Sequence, residues 1–285
     1  FGCVYHCTFC ATQTITGIGI MYRDVEVILD EIEWFKKEFG ITHFGIIDEM
    51  LLLNRKRCMR LFQGMIDRKL NITWKLNDAS LWHMHAGLLE KAAESGCVRI
   101  GCSAESGSQR VLDEVMEKPV KLDLVEKVVK KCNELGMAIT SNFIIGMPDE
   151  TWDEILETVD FADRTNFDLV SFHIAQPFPG TPMVKTCIEK GYLPKDFDFR
   201  DERQFGNSMG FINTPEFNAD MLKNLRTFAW DYINFKTQEK KNKAAECLNI
   251  PLSEIDEHRL KSRKKLGVHA GKQEFLVFRD EFSSD

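Results

Sequence analysis

The chain has 285 residues, 44% apolar and 28% charged, with a formal net charge of −7. At roughly 150 residues per domain this suggests about two domains, unless a single α/β barrel fills the length, with a core large enough to need no disulfide staples. The acidic balance makes a general nucleic-acid binder a poor candidate, and no apolar run is long enough for a membrane-spanning helix. No signal-peptide pattern is read in the sequence, and the start at Phe1 without a methionine reads as a fragment.

Asp24 is placed to cap a helix whose apolar face is Val25, Ile28, Leu29, Ile32, Phe35 and Phe39, with Gly40 as its stop. Residues 41–48 read as a buried strand, 54–69 as a helix and 72–77 as a strand. A helical pattern over 81–95 ends at Gly96, and a strand follows over 98–104. A short helix is expected over 108–117 and a stronger one over 121–135, with Val125, Val128, Val129 and Cys132 on one face. Then come a strand over 137–146, a helix over 151–164 and a strand over 167–176. Strands separated by helices at this spacing imply right-handed βαβ units and a parallel sheet. Five strands are visible, and a sixth is expected ahead of Cys3 to carry the motif that starts there. After Pro177 the rhythm stops: 195–215 read as irregular, 217–246 as largely helical and 250–285 as a mixed tail.

Nine cysteines is an odd number in a chain far larger than a disulfide miniprotein, and such usage fits a reducing cytoplasm. Cys58, Cys97, Cys102, Cys132, Cys187 and Cys247 are isolated and read as buried thiols acting as small hydrophobes. Cys3, Cys7 and Cys10 fall within eight residues. C-x3-C-x2-C puts three thiolates in one tight loop, which suits three corners of a cubane iron–sulfur cluster. A structural zinc would want a fourth ligand; His6 is close but shares the crowded loop, and no second Cys/His pair follows. A c-type haem would need His after Cys10, where Ala11 stands.

With that motif, residues 1–190 resemble the radical S-adenosylmethionine (radical SAM) superfamily. The resemblance implies a [4Fe–4S] cluster on Cys3, Cys7 and Cys10, S-adenosylmethionine held at the open iron, and its reductive cleavage to a 5′-deoxyadenosyl radical. It implies an α/β fold: an incomplete (β/α)6 TIM-like barrel over 1–193 with its site at the C-terminal strand ends, and a mainly helical extension over 194–285. It also assigns residues. Phe9 matches the aromatic against adenine, with a core Phe as the plain alternative. Asp48 and Glu49 stand where the family binds the methionyl ammonium, although Asp there could equally cap a helix. In the segment 103–108, Glu105 would accept from the ribose hydroxyls, or else cap a helix start. Asn142, Ile145 and Gly146 resemble the adenine edge, with the glycine allowing close backbone approach; simple strand packing is the alternative. Residues 177–182 resemble the family's PGT loop.

Other signals are weaker. Gly17-Ile18-Gly19 lacks a third glycine, and Arg23 matches an arginine common after the cluster loop or is a surface charge. The basic run from His258 to Lys272 reads as a solvated surface. Of the remaining histidines, His173 is best placed to face a barrel, whereas His83 and His85 default to helix surface or core.

The wording of residues 2–10, of Asn54–Arg57 and of the segment 104–118 resembles the subgroup with an N-terminal cobalamin-binding domain, which includes methyltransferases acting on unactivated carbon or phosphorus and cyclases of the magnesium-protoporphyrin type. The resemblance therefore implies methyl transfer to carbon with cobalamin from an upstream domain, a small-molecule or peptide substrate, and an electron donor such as flavodoxin or ferredoxin. The base-off motif D-x-H-x-x-G is absent: Asp256-Glu257-His258 starts it, but Lys261 stands where the glycine belongs. Alternatives are a methylthiotransferase-like enzyme, a radical cyclase or oxidoreductase and, from another class, a non-catalytic metal-binding module.

Overall fold

The computed structural model describes residues 2–266, apart from 49, 195, 203–205, 207 and 208. Five parallel strands follow one another across a single sheet: β1 (His43–Ile46), β2 (Thr73–Ala79), β3 (Cys97–Glu105), β4 (Ala138–Ile145) and β5 (Leu169–Ile174). After a short α1 (Thr12–Thr16), helix α2 (Val25–Phe39) precedes β1, and α3 (Arg55–Asp67), α4 (Ala86–Glu94), α5 (Leu122–Glu134) and α6 (Trp152–Arg164) lie between successive strands. All five expected strands form. The sixth strand, expected ahead of Cys3, is not among the described residues, which begin at Gly2.

The period-2 alternation shows how the sheet divides its faces. In β4, Ile139, Ser141, Phe143 and Ile145 are buried on one face, while Thr140, Asn142 and Ile144 stay half-buried on the other. The buried face packs against the helices, where Phe143 stacks on Phe172 at 5.6 Å and meets Phe161 and Phe167 edge-on. Burying each such ring contributes about 1.5–3 kcal/mol. The half-buried face is the concave one, and it is unusually polar, with Asn77, Asp78, Ser103, Thr140, Asn142, Ser171 and His173 along it.

Helix starts follow their caps. Asp24 accepts from the Glu26 N–H at 2.8 Å, and Thr151 forms a capping box with Glu154 at the head of α6. Phe39 departs from the expected apolar face: it is 61% exposed and sits edge-on to Trp34 at 5.2 Å. The helix expected over 81–95 divides into a 3₁₀ turn, Leu81–His83, and α4, because Trp82 and His83 turn toward the N-terminal loop. The short helix expected over 108–117 is a π-type turn, Val111–Val115.

Beyond β5 come α7 (Pro182–Glu189), which the sequence reading did not anticipate, then α8 (Ala219–Phe235), α9 (Gln238–Leu248) and α10 (Ile255–Leu266). Helix α8 covers the open edge of β5. Its Asn234 accepts from the Val170 N–H at 2.8 Å and donates to the Val170 carbonyl at 2.9 Å, and Arg226 donates to the Phe172 carbonyl at 2.7 Å. These side chains supply the bonds a neighbouring strand would make and leave that edge closed to other chains. Buried Asp231 of α8 ties down α10 through Arg259, at 2.7 and 2.9 Å, and Arg263. Among the described residues no helix is long and apolar enough to cross a membrane.

Candidate functional site

The cysteine loop lies over the C-terminal ends of the central strands, fastened on three sides. Thr8 at its centre accepts from the Met183 N–H of α7 at 3.0 Å. The Thr8 N–H donates to the Met116 carbonyl at 3.0 Å, and its hydroxyl to the Val115 carbonyl at 2.6 Å. Tyr5, between the first two cysteines, packs edge-on against Trp82 at 4.9 Å and bonds its hydroxyl to His83 Nε2 at 3.2 Å. The loop also closes on itself, Cys3 forming a parallel bridge with Ile18.

Cys3, Cys7 and Cys10 are all half-buried and free. Burial pushes the Cys7 thiol up to about 11; Lys118 pulls it down, while Cys10, Glu105 and Cys3 add to the rise, so these groups share one electrostatic neighbourhood. Two backbone N–H groups point at sulfur: Tyr5 to Cys3 Sγ and Thr12 to Cys10 Sγ, each at 3.5 Å. Among the described residues no three His, Cys, Asp or Glu side chains converge on a point that one metal ion could fill. A cubane makes a different demand, since each thiolate binds its own iron, and N–H donors to sulfur are among the groups that tune such clusters. The donor set fits that group: three soft thiols in one loop, amides aimed at two of them, and a buried ammonium beside them.

That ammonium, Lys118, was not singled out by the sequence. It pairs with Glu105 at 2.6 Å, with only 11% and 7% of the two side chains exposed. Burial works against the Lys118 charge, but Glu105, by charge and hydrogen bond, with Cys7 and Asp78 behind it, carries its pKa above the ordinary lysine value. It also lies 5.9 Å from the ring centre of Phe9 and 5.7 Å from that of Trp82. Glu105 owes its position to a bulge at the end of β3: Ser103 aligns with Asn142, yet Glu105 aligns with Phe143, the next residue. Its φ of 67° is left-handed for a residue with a side chain. Thr158 of α6 holds the turn beyond, at 3.1 Å from the Ser106 hydroxyl and 2.9 Å from the Gly107 N–H.

The other expected residues are distributed unevenly. Phe9 is half-buried against the core, under Lys118. Asp48 accepts from the Met50 N–H at 2.9 Å and so shapes the turn after β1; Glu49 lies outside the described residues. Asn142 faces the concave side, its Oδ1 3.4 Å from His173 Nε2. Ile145 points into the helical layer and can offer the site only its backbone, whereas Ile144 shares the face of Asn142. Gly146 has a φ of 85°, which favours glycine, and a Cβ there would stand 2.4 Å from a Leu222 methyl of α8 that would have to move. Its N–H donates to the buried carboxyl group of Glu150 at 2.7 Å. Opposite this end, near the strand starts, a cavity of about 720 Å³ is lined by His43, Lys75, Arg99, Asp168 and Lys243, remote from the thiols.

The family profile described as "Radical SAM superfamily" matches residues 1–162. The chain belongs to the radical SAM superfamily. Among curated relatives it is 32% identical over 222 residues to cytidylyl-2-hydroxyethylphosphonate methyltransferase of Streptomyces wedmorensis, covering 75% of this chain and 40% of the relative. It is 29% identical over 191 residues to bacteriochlorophyllide d C-12(1)-methyltransferase of Chlorobaculum tepidum, covering 66% of this chain and 41% of that protein. The chain thus spans about two fifths of the length of these relatives. Among solved structures, the cobalamin-dependent S-adenosylmethionine radical enzyme OxsB matches with a TM-score of 0.66 at 16% identity, covering 99% of this chain and 49% of that one. The methyltransferase TsrM from Kitasatospora setae matches with a TM-score of 0.58 at 20% identity, covering 64% of this chain and 34% of that one. These likenesses establish the partial-barrel fold of the radical SAM family for the sheet described above.

Proposed function

We propose that this chain is the radical-generating part of a cobalamin-dependent methyltransferase acting on an unactivated carbon of a small molecule or peptide. The observation that carries the reading is the loop of three free, half-buried thiols fastened over the C-terminal strand ends, where barrel enzymes place their chemistry. Cys3, Cys7 and Cys10 would hold the [4Fe–4S] cluster, whose contribution when bound is the one-electron cleavage of S-adenosylmethionine to a 5′-deoxyadenosyl radical. The chain's own side chains bind and shield. Phe9 offers a flat apolar face, Glu105 and Asn142 offer acceptors on neighbouring strands, and Asp48 with Glu49 offers carboxylates for an ammonium. The polar concave face between them receives the substrate.

Methyl transfer is favoured by the curated relatives, several of which are named as methyltransferases. Cobalamin would come from a domain outside this chain, as the resemblance to OxsB and TsrM suggests. An electron donor of the flavodoxin or ferredoxin kind would supply the reducing electron. Nine free cysteines suit a reducing cytoplasm. The test is made on the full-length protein: anaerobic purification, a visible spectrum for cobalamin, and assay of S-adenosylhomocysteine and 5′-deoxyadenosine. Both products are expected with the true substrate. Formation of 5′-deoxyadenosine alone would replace methyl transfer by a cyclase or oxidoreductase reaction.

A further inference from the structure

His83 is one of the histidines that the sequence left as surface or core, and the structure puts it to use. It closes the 3₁₀ turn after β2 and lies between two hydroxyls. Its Nδ1 is 2.8 Å from Ser80 Oγ and its Nε2 is 3.2 Å from Tyr5 Oη. Ser80 is buried at the end of β2, while Tyr5 stands midway between Cys3 and Cys7. Burial, with the charge of His85, lowers the imidazole's pKa and favours the neutral ring. A neutral ring donates from one nitrogen and accepts at the other, so it can satisfy both hydroxyls at once. Trp82 seats the Tyr5 ring edge-on, and the Gln13 side chain donates to the Tyr5 carbonyl. Every polar group of Tyr5 is thereby engaged, and its backbone N–H is the group aimed at Cys3 Sγ, 3.5 Å away.

We propose that Ser80, His83 and Tyr5 form a hydrogen-bonded strut that holds the Tyr5 amide on the Cys3 sulfur, making His83 a positioning residue for the cluster. This rests on the reading of Cys3, Cys7 and Cys10 as cluster ligands. An amide donor to a thiolate sulfur stabilises the more negative, reduced cluster and raises its potential. The loop carries no helix or sheet ladder between Cys3 and Cys7 that could fix this amide by itself. The strut spans 78 residues of sequence, tying the loop to the strand end that bounds the concave face.

The test compares wild type, His83→Ala, His83→Gln and Tyr5→Phe, each reconstituted anaerobically in the full-length protein. Iron and sulfide content, release of iron to a chelator, and the midpoint potential by electron paramagnetic resonance titration are measured. Tyr5→Phe keeps the ring against Trp82 and removes only the hydroxyl, which guards against a folding defect in His83→Ala. Losing one such bond should change the redox equilibrium about fivefold, a fall of about 40 mV for one electron, with iron release faster by a similar factor. His83→Gln, which can still bond Tyr5, should recover most of the shift. A wild-type protein that takes up no cluster overturns the ligand assignment and the strut with it. A wild type with a full cluster, and Tyr5→Phe and His83→Ala variants with unchanged potential and iron release, overturns the strut alone.

Discussion

The Glu105–Lys118 pair offers the sharpest quantitative test. At 2.6 Å and with both side chains almost fully covered, it is a buried ion pair beside the thiol loop. Removing one partner from such a pair strands the other as a buried charge and typically costs about 3–5 kcal/mol. Lys118→Met, close in volume, should therefore lower the unfolding free energy by about that amount at pH 8. The stranded Glu105 can escape by taking a proton, since burial disfavours its charge. In the variant its folded pKa then lies above the unfolded value, so the folded state holds more protons and stability rises as pH falls toward the ordinary glutamate range. Denaturant unfolding followed by circular dichroism at pH 8 and pH 5 reads both effects. The double variant Lys118→Met/Glu105→Gln should recover most of the loss, because no buried charge remains. A single variant as stable as wild type at pH 8, or a deficit that grows as pH falls, would refute this account of the pair.

Four further outcomes are expected. Replacing Cys3, Cys7 and Cys10 together by Ala should abolish iron uptake on anaerobic reconstitution, measured by iron and sulfide analysis. Beyond the stability cost of stranding Lys118, Glu105→Ala should weaken S-adenosylmethionine binding by about 1–3 kcal/mol in calorimetry and leave iron content intact, as a charged acceptor is lost while the three cysteines remain. Asp48→Asn keeps an acceptor for the Met50 N–H but removes the charge, so a drop in S-adenosylmethionine affinity at unchanged melting temperature marks an ammonium partner, and unchanged affinity at unchanged melting temperature marks a turn former. Burial pushes Glu150 up to about 8, against the pull of the Met147 and Gly146 amides. The stability this group contributes should be complete below about 4.5 and lost as pH rises through about 8, some 3–5 kcal/mol in all, and Glu150→Gln should flatten that profile.

The βαβ rhythm was legible because apolar runs bounded by glycine and caps need no tertiary information: all five strands and the helices at 25–39, 55–67, 122–134 and 152–164 stand where their patterns put them. The cysteine triad was legible for a related reason, since its chemistry lies in a spacing of eight residues. Only the tertiary structure decided what surrounds it. Lys118 reaches Glu105 across a π-type turn where the pattern suggested only an ordinary short helix, and Tyr5 meets His83 across 78 residues. The helical pattern over 81–95 broke because its first turn is spent on that contact instead of on helix propagation. Likewise, the pattern over 217–246 gave helices but not that one of them would cover the edge of β5 through Asn234 and Arg226. A linear pattern reports what each segment prefers by itself. Which polar groups must find one another once the segments are packed and cut off from water is settled only by the fold, because a buried donor, acceptor or charge is costly until it is paired.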